Sequence, residues 1–279
     1  MNLKTYLSRA FRKYQCNKIT SFIFVANTGR AGSTSLTKIF STIPKVISFH
    51  EATPDMSGTI MKEYNNNNNK LLDEKFKQEK LPNIYYNARN SSFYIESNHL
   101  FIKTFSDLAV QEFGCRLKVI YLHRDKLEVA SSYYNRHIIN KDVTVDVNDW
   151  VLDPSALKNL LKIDDVLYSS TKFNNLFFRF LWYCYEIEAR TVDFCRKHPS
   201  IPVIGFNTNE LNSFSSTSKL LNELDIPVPN NLLDIIGTNV NQGTSKSDIP
   251  DGISLSSVNK FSDICKTRLI EKKLNWIIK

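Results

Sequence analysis

The sequence contains no long apolar run. None approaches the roughly 18–20 residues needed to cross a bilayer, and the candidate near the start, Phe22 to Ala26, has the length of a strand. No hydrophobic signal-peptide core precedes it, so secretion is not expected and a cytoplasmic location is. Cysteine is scarce and unpatterned. The five residues, at 16, 115, 184, 195 and 265, are odd in number and include no Cys-x-x-Cys spacing. That pattern argues against a disulfide framework or a structural zinc site and leaves reduced, mostly buried thiols. The five histidines show no metal-ligand spacing either, so no metal is expected. Internal repeats are absent. Aromatic and basic residues do not alternate as they do in RNA-binding sheets, which leaves nucleic acid a poor candidate partner.

What the chain does contain is ordinary for a folded protein. Its 279 residues are 42% hydrophobic and 23% charged, enough to bury a core without staples, and disorder as the main state is excluded. The formal charge of +8 favours anionic partners such as nucleotides, acidic sugars or membrane headgroups. Much of the excess lies at the two ends. Lys4, Arg9, Arg12, Lys13 and Lys18 form a basic segment over 1–20, and Lys266, Arg268, Lys272, Lys273 and Lys279 close the chain. Solvated helix faces explain these clusters as well as binding does.

Apolar runs mark strands at Phe22–Ala26, Val46–Phe49, Leu100–Ile102, Leu117–Leu122 and Ile201–Phe206. Helical spacing separates them: Leu36, Ile39, Phe40 and Ile43 before Pro44, Asp107 to Phe113, Lys126 to His137, and a long helix from Leu176 to Phe194 closed by His198-Pro199. Leu220, Leu221 and Leu224 belong to a further helix, and an amphipathic stretch from Ile264 to Ile277 packs on the body. The stretch 57–92 is polar and carries five consecutive asparagines, Asn65 to Asn69, so it reads as a surface loop insertion. Ile138 to Thr171 is also irregular, and both stretches are lid candidates. Tyr85, Tyr86 and Trp150 suit either ring stacking or core. Strands alternating with helices, apolar on both faces, predict a single α/β domain over 1–279. Its central parallel sheet is flanked by helices, with ligands at the carboxyl ends of the strands.

One of those ends carries Thr28-Gly29-Arg30-Ala31-Gly32-Ser33-Thr34-Ser35. Two glycines permit a tight turn, and successive N–H groups then face one concavity at the positive end of a helix dipole. Three hydroxyls and the Arg30 charge complete a cradle suited to phosphate or sulfate. A plain turn with a Ser N-cap is the simpler alternative. A Walker A loop needs Lys after the last Gly, and Ser33 stands there, which disfavours a kinase or ATPase of the usual P-loop kind. Farther on, the strand Leu117–Leu122 leads to Arg124, and Ser132 follows eight residues later on a helix. An Arg fork and a hydroxyl near a helix start make a second anion site.

Thr28 to Leu36 resembles the 5′-phosphosulfate loop of sulfotransferases that use 3′-phosphoadenosine 5′-phosphosulfate (PAPS). The loop has the Arg common in carbohydrate and protein-tyrosine members, where cytosolic small-molecule members usually have Lys. In that family an Arg at a strand end and a Ser eight residues later bind the 3′-phosphate, matching Arg124 and Ser132. The family's usual Pro is replaced by Lys126. Asn239-Val240-Asn241-Gln242-Gly243 sits where many members carry a late loop near the nucleotide, though a plain turn explains it equally.

The resemblance implies a P-loop-like sulfotransferase fold. It also implies PAPS as sulfonate donor, 3′,5′-adenosine bisphosphate (PAP) as product, and a hydroxyl acceptor, with carbohydrate or glycolipid preferred to tyrosyl peptide. Thr28 to Ser35, Arg124 and Ser132 would hold the nucleotide. Arg30 would also stabilise charge on the transferring group. Glu51, His50 and His99 are the candidate bases for the acceptor proton. Alternation along the second strand turns His50 away from Glu51's side, and His123 is expected to pack beside Arg124. Two other classes remain: an atypical P-loop kinase or NTPase, for which Asp125 would serve as the acidic residue after a strand, and a non-catalytic nucleotide- or glycan-binding protein.

Overall fold

Six consecutive buried residues, Ser21–Ala26, form β1, the middle strand of a five-stranded sheet. The computed structural model describes residues 18–139, 147–169, 172–236 and 249–276. The other strands are β2 (Val46–His50), β3 (Phe93–Ser97), β4 (Leu117–His123) and β5 (Val203–Asn207), in the order β2-β3-β1-β4-β5. Every pairing is parallel, and β1 runs beside β3 on one side and β4 on the other. Alternation along β1 feeds two cores. Phe22, Phe24 and Ala26 pack on one face of the sheet, and Ile23 and Val25 on the other.

The helices are α1 (Ser33–Ser41), α2 (Thr59–Asn65), α3 (Lys70–Lys75), α4 (Leu81–Ala88), α5 (Ser106–Phe113), α6 (Lys126–Ile139) and α7 (Asp164–Ser169). They continue with α8 (Leu176–Lys197), α9 (Phe214–Glu223), α10 (Leu232–Ile236) and α11 (Leu255–Glu271). α1, α9 and α10 cover the Ile23 face, while α5, α8 and α11 cover the Phe22 face. α8 is buried on nearly all sides, as expected of a helix in the middle of a core. The chain leaves β1 toward β2 and leaves β4 toward β5, in opposite directions. The crevice between the carboxyl ends of β1 and β4 is therefore the topological switch point, where such sheets bind ligands.

Two sequence expectations fail here. Leu100-Phe101-Ile102 is not a strand but a run of turns; its apolarity reflects burial, with Phe101 stacked on Phe24 at 5.0 Å. The third strand is Phe93–Ser97, which its polar end, Glu96 and Ser97, disguised although both are buried. The stretch 57–92 is not a loop insertion. It folds as α2, α3, a π-helical turn over Phe76–Lys80, and α4. Met61, Leu72, Phe76, Leu81 and Ile84 lie on the buried side, so the polar residues mark the solvent face of helices.

The Asn239–Gly243 loop, Cys16 and most of the basic N-terminal segment lie outside the described residues. Of the described cysteines, Cys184 and Cys265 are buried and Cys115 is exposed. Among the described residues no helix is long and apolar enough to cross a membrane, and no cluster of His, Cys, Asp or Glu is arranged to hold a metal ion.

Candidate active site

The loop after β1 is pinned from beneath. Gly29 N–H donates to Asn27 Oδ1 at 2.6 Å, an Asx-type turn. The Thr28 carbonyl accepts from Tyr133 Oη at 2.7 Å and from Tyr183 Oη at 2.9 Å, which fixes it on the protein side. Gly29, Arg30 and Gly32 then take left-handed φ values of 75°, 54° and 81°. Both glycines are also required by space. A Cβ on Gly29 would stand 2.3 Å from Tyr133 Oη, and one on Gly32 would stand 2.8 Å from Thr208 Cγ2. Thr208, just past β5, donates to the Ala31 carbonyl at 2.6 Å. α1 begins at Ser33 with no side chain capping it, so its first N–H groups remain for an anion.

Cations gather over this helix start. Arg30 Nε donates to Ser132 Oγ at 3.0 Å, joining the loop to α6. Arg124 Nη1 approaches the Arg30 carbonyl at 3.5 Å while its Nε donates to Glu128 at 2.5 Å. Partial burial depresses the Arg30 pKa, and the charges of Arg136 and Arg124 push it the same way. With Arg124 paired to Glu128, the Arg30 charge and its repulsion by Arg136 and Arg124 near the helix N-terminus are relieved by an anion. The donor set thus fits a nucleotide with phosphate and phosphosulfate groups.

Across the loop, β2 ends at His50, and Glu51 turns into a left-handed φ of 52°. That turn breaks strand alternation, so both side chains reach the loop region. His50 Nε2 lies 3.0 Å from Ser33 Oγ and 3.4 Å from Thr34 Oγ1. Glu51 Oε1 lies 3.0 Å from His99 Nδ1, and His99 follows β3. The Glu51 side chain is 29% exposed and that of His99 only 7%. Burial raises the Glu51 pKa, opposed by the charges of His50 and Lys103. Burial holds His99 well below its usual pKa, with Lys103 and His50 adding to the effect. His99 is then neutral, and its Nδ1–H donates to Glu51. The buried Nε2, which has no partner, is the bare imine nitrogen, cheaper to leave unpaired than an N–H. The His99 ring meets Trp150 edge-on at 5.9 Å.

The sequence model of the sulfotransferase domain matches residues 21–179, more than half of the chain. The chain belongs to the sulfotransferase family. It is a PAPS-dependent enzyme of the P-loop-like fold. Among solved structures it is similar to the sulfotransferase domain from the curacin biosynthetic pathway, at 14% identity and a TM-score of 0.50, covering 93% of this chain and 99% of that one. It is also similar to a sulfotransferase from Mycobacterium avium, at 11% identity and a TM-score of 0.51, covering 96% and 81%. These identities speak for the fold alone. No match to a curated protein was found.

The structure brings the expected sulfotransferase residues Thr28 to Ser35, Arg124 and Ser132 into one crevice, with Glu51 and His99 at its edge. It also adds residues that sequence reasoning missed. Tyr133 directly follows Ser132 and was legible as its neighbour. Thr208 lies at a strand's carboxyl end, where the rule for parallel sheets directs attention. Tyr183 gave no signal, being one aromatic in an apolar helix. Lys103 is fully buried, bonded to the Trp150 carbonyl and, at 3.0 Å, to Tyr183 Oη, and burial holds its pKa well below the usual lysine range. His123 is half-buried beside Tyr121, at 5.3 Å between rings.

Proposed function

We propose that this sulfotransferase acts as a single unit over 1–279 and moves a sulfonate from PAPS to a hydroxyl of a carbohydrate or glycolipid, with Glu51 as the base. The observation that carries it is the Glu51–His99 contact at the rim of the anion cradle. Gly29 lies against both Tyr133 and His99, so the base pair and the phosphosulfate loop share one wall.

When bound, PAPS supplies the sulfonate already activated. The N–H groups of the loop and of the α1 start, with Arg30, Ser33 and Thr34, hold its charge. Arg124 and Ser132 hold the 3′-phosphate, and Arg30, bonded to Ser132, ties the two anion sites together. Glu51 is the more exposed member of the pair and takes the acceptor proton. His99 stands behind it, neutral, and orients the carboxylate through Nδ1–H. A carboxylate whose pKa is raised by burial is a stronger base than a free one. The Arg-type loop is compatible with a carbohydrate acceptor, and the polar His50 and Asp55 near Glu51 and the Trp150 ring beside His99 are groups that suit a sugar.

The test is sulfonate transfer from radiolabelled PAPS to octyl glucoside, a sulfated-glycan precursor and a tyrosyl peptide in parallel. Label on either carbohydrate supports the reading. Label confined to the peptide overturns the acceptor class, and transfer unaffected by Glu51→Gln overturns the base.

A further inference from the structure

A charged pair lies wholly inside the protein, and its hydrogen bonds reach the residue beside each member of the Glu51–His99 pair. Lys80 Nζ is 2.5 Å from Glu96 Oε1, with side chains 1% and 0% exposed. Burying two charges costs desolvation that an apolar pair of the same volume avoids, so this pair is not explained by stability alone. Its hydrogen bonds show what it holds. Lys80 Nζ also donates to the Ala52 carbonyl at 2.5 Å, and Ala52 follows Glu51. Glu96 Oε1 accepts from Asn98 Nδ2 at 2.8 Å, and Asn98 precedes His99. Asn98 in turn accepts from Leu100 N–H at 2.8 Å, on the far side of His99. Tyr94 Oη donates to the other Glu96 oxygen at 2.8 Å, so the carboxylate is held at both ends. Glu51 N–H donates to the Ser97 carbonyl at 3.0 Å, which fixes the strand end between them.

We infer that Lys80 and Glu96 are positioning residues for sulfonate transfer: one buried ion pair sets the distance between the Glu51 carboxylate and the His99 ring by fixing the backbone beside each. This rests on the proposed role of Glu51. The charged and titratable groups that face Glu51 are His50 on its own strand, His99 after β3, Lys103 in the following turns, Asp55 and Arg136 on α6. Lys80 acts instead through the Ala52 carbonyl. Its position also explains why the stretch 57–92 turns inward: the π-helical turn ends at Lys80 and delivers it to the core. Proton transfer to Glu51 needs a carboxylate held on the acceptor, and a displacement of about 1 Å costs on the order of 100-fold in rate.

The test compares the full-length protein with Lys80→Met/Glu96→Gln, which removes both charges together. PAP affinity is measured by calorimetry, and all signals are normalised to PAP-binding sites so that unfolded molecules drop out. The His99 ring nitrogens and the Glu51 carboxyl carbon are followed by NMR across pH. The expected result is PAP affinity within about twofold of the parent, loss of the His99 Nδ1–H signature bonded to Glu51, and a displaced Glu51 titration. An unchanged signature and titration in a variant that binds PAP overturns the proposal. If the double variant binds no PAP, Asn98→Leu takes its place. It cuts the link from Glu96 to His99 with the ion pair intact, and the same two outcomes are read. Glu51→Gln is run beside them in PAPS turnover with octyl glucoside. Parent-like turnover there removes Glu51 as the base, whereas an unchanged NMR signature in the double variant removes only the positioning role.

Discussion

Glu51 owes its reach to one backbone angle. A strand alternates its side chains, so His50 and Glu51 should face apart; the left-handed φ at Glu51 ends the strand and brings both to the crevice. Sequence alone offered the residue types and their place after the second strand, but not this turn, because a positive φ at Glu has no local signature. Glu51→Gln should leave PAP affinity nearly unchanged and lower the transfer rate by roughly 10²–10⁴, the span of a general base. Calorimetry and single-turnover rates on the same samples check it. The pH dependence has a definite sign. The proposed base works deprotonated, and burial raises the Glu51 pKa, so activity should fall with acid through a point above the ordinary Glu value of about 4.3. A raised carboxyl pKa costs folding stability once the pH exceeds it, so the Gln variant should melt no lower than the parent at pH 7.

Arg124 and Ser132 stood out because their separation matches the family's 3′-phosphate pair, and an Arg fork with a nearby helix hydroxyl also suits an anion. Arg124→Ala should weaken PAP binding by about 1.5–3 kcal/mol, the worth of a charge-assisted hydrogen bond. It should weaken adenosine 5′-phosphosulfate, which lacks the 3′-phosphate, far less. Equal losses in calorimetry would place Arg124 elsewhere than at the 3′-phosphate.

At the scale of elements, the sheet was readable wherever a strand was apolar on both faces. β1, β2, β4 and β5 fall within a few residues of their apolar runs. β3 was missed because the burial of its polar Glu96 is compensated by Lys80, which comes from another element of the chain. The asparagine tract misled for a related reason. Asn65 is 2% exposed, and its Nδ2 donates to the Met61 carbonyl at 2.8 Å and the Lys103 carbonyl at 3.2 Å, while Asn66 to Asn69 are exposed. Composition treats the five alike; position does not. Asn65→Ala removes the buried amide donor to the Met61 and Lys103 carbonyls, the latter keeping Arg190 Nη1 at 3.4 Å, and should destabilise by about 0.5–1.5 kcal/mol. Asn66→Ala, on the solvent side, should stay within about 0.5 kcal/mol. Urea unfolding of the two variants separates a buried helix end from a featureless polar loop, and equal effects would contradict the packed segment.

For the whole molecule, the strand order decides where the ligand goes, and the charge decides its kind. Opposite exits from β1 and β4 open one crevice, and the loop after β1 and the helix after β4 supply its two sides. A nucleotide with anions at both the 5′ and 3′ positions engages both sides, whereas ATP carries all its phosphates at one end. The loop also lacks the Lys that a Walker A site offers a triphosphate. Ligand bound only to the native state stabilises it in proportion to RT ln(1 + [L]/Kd), so selectivity is readable as a melting shift without any acceptor. PAP should raise the melting temperature clearly, and ATP with magnesium at the same concentration should raise it much less. The PAP shift should shrink as salt rises, since Arg30 and Arg124 are partly exposed and screened. It should shrink most in Arg124→Ala, where one side of the crevice has lost its fork. Equal shifts from the two nucleotides would mean that only the β1 loop binds phosphate, and the proposed 3′ site at Arg124 and Ser132 would fall.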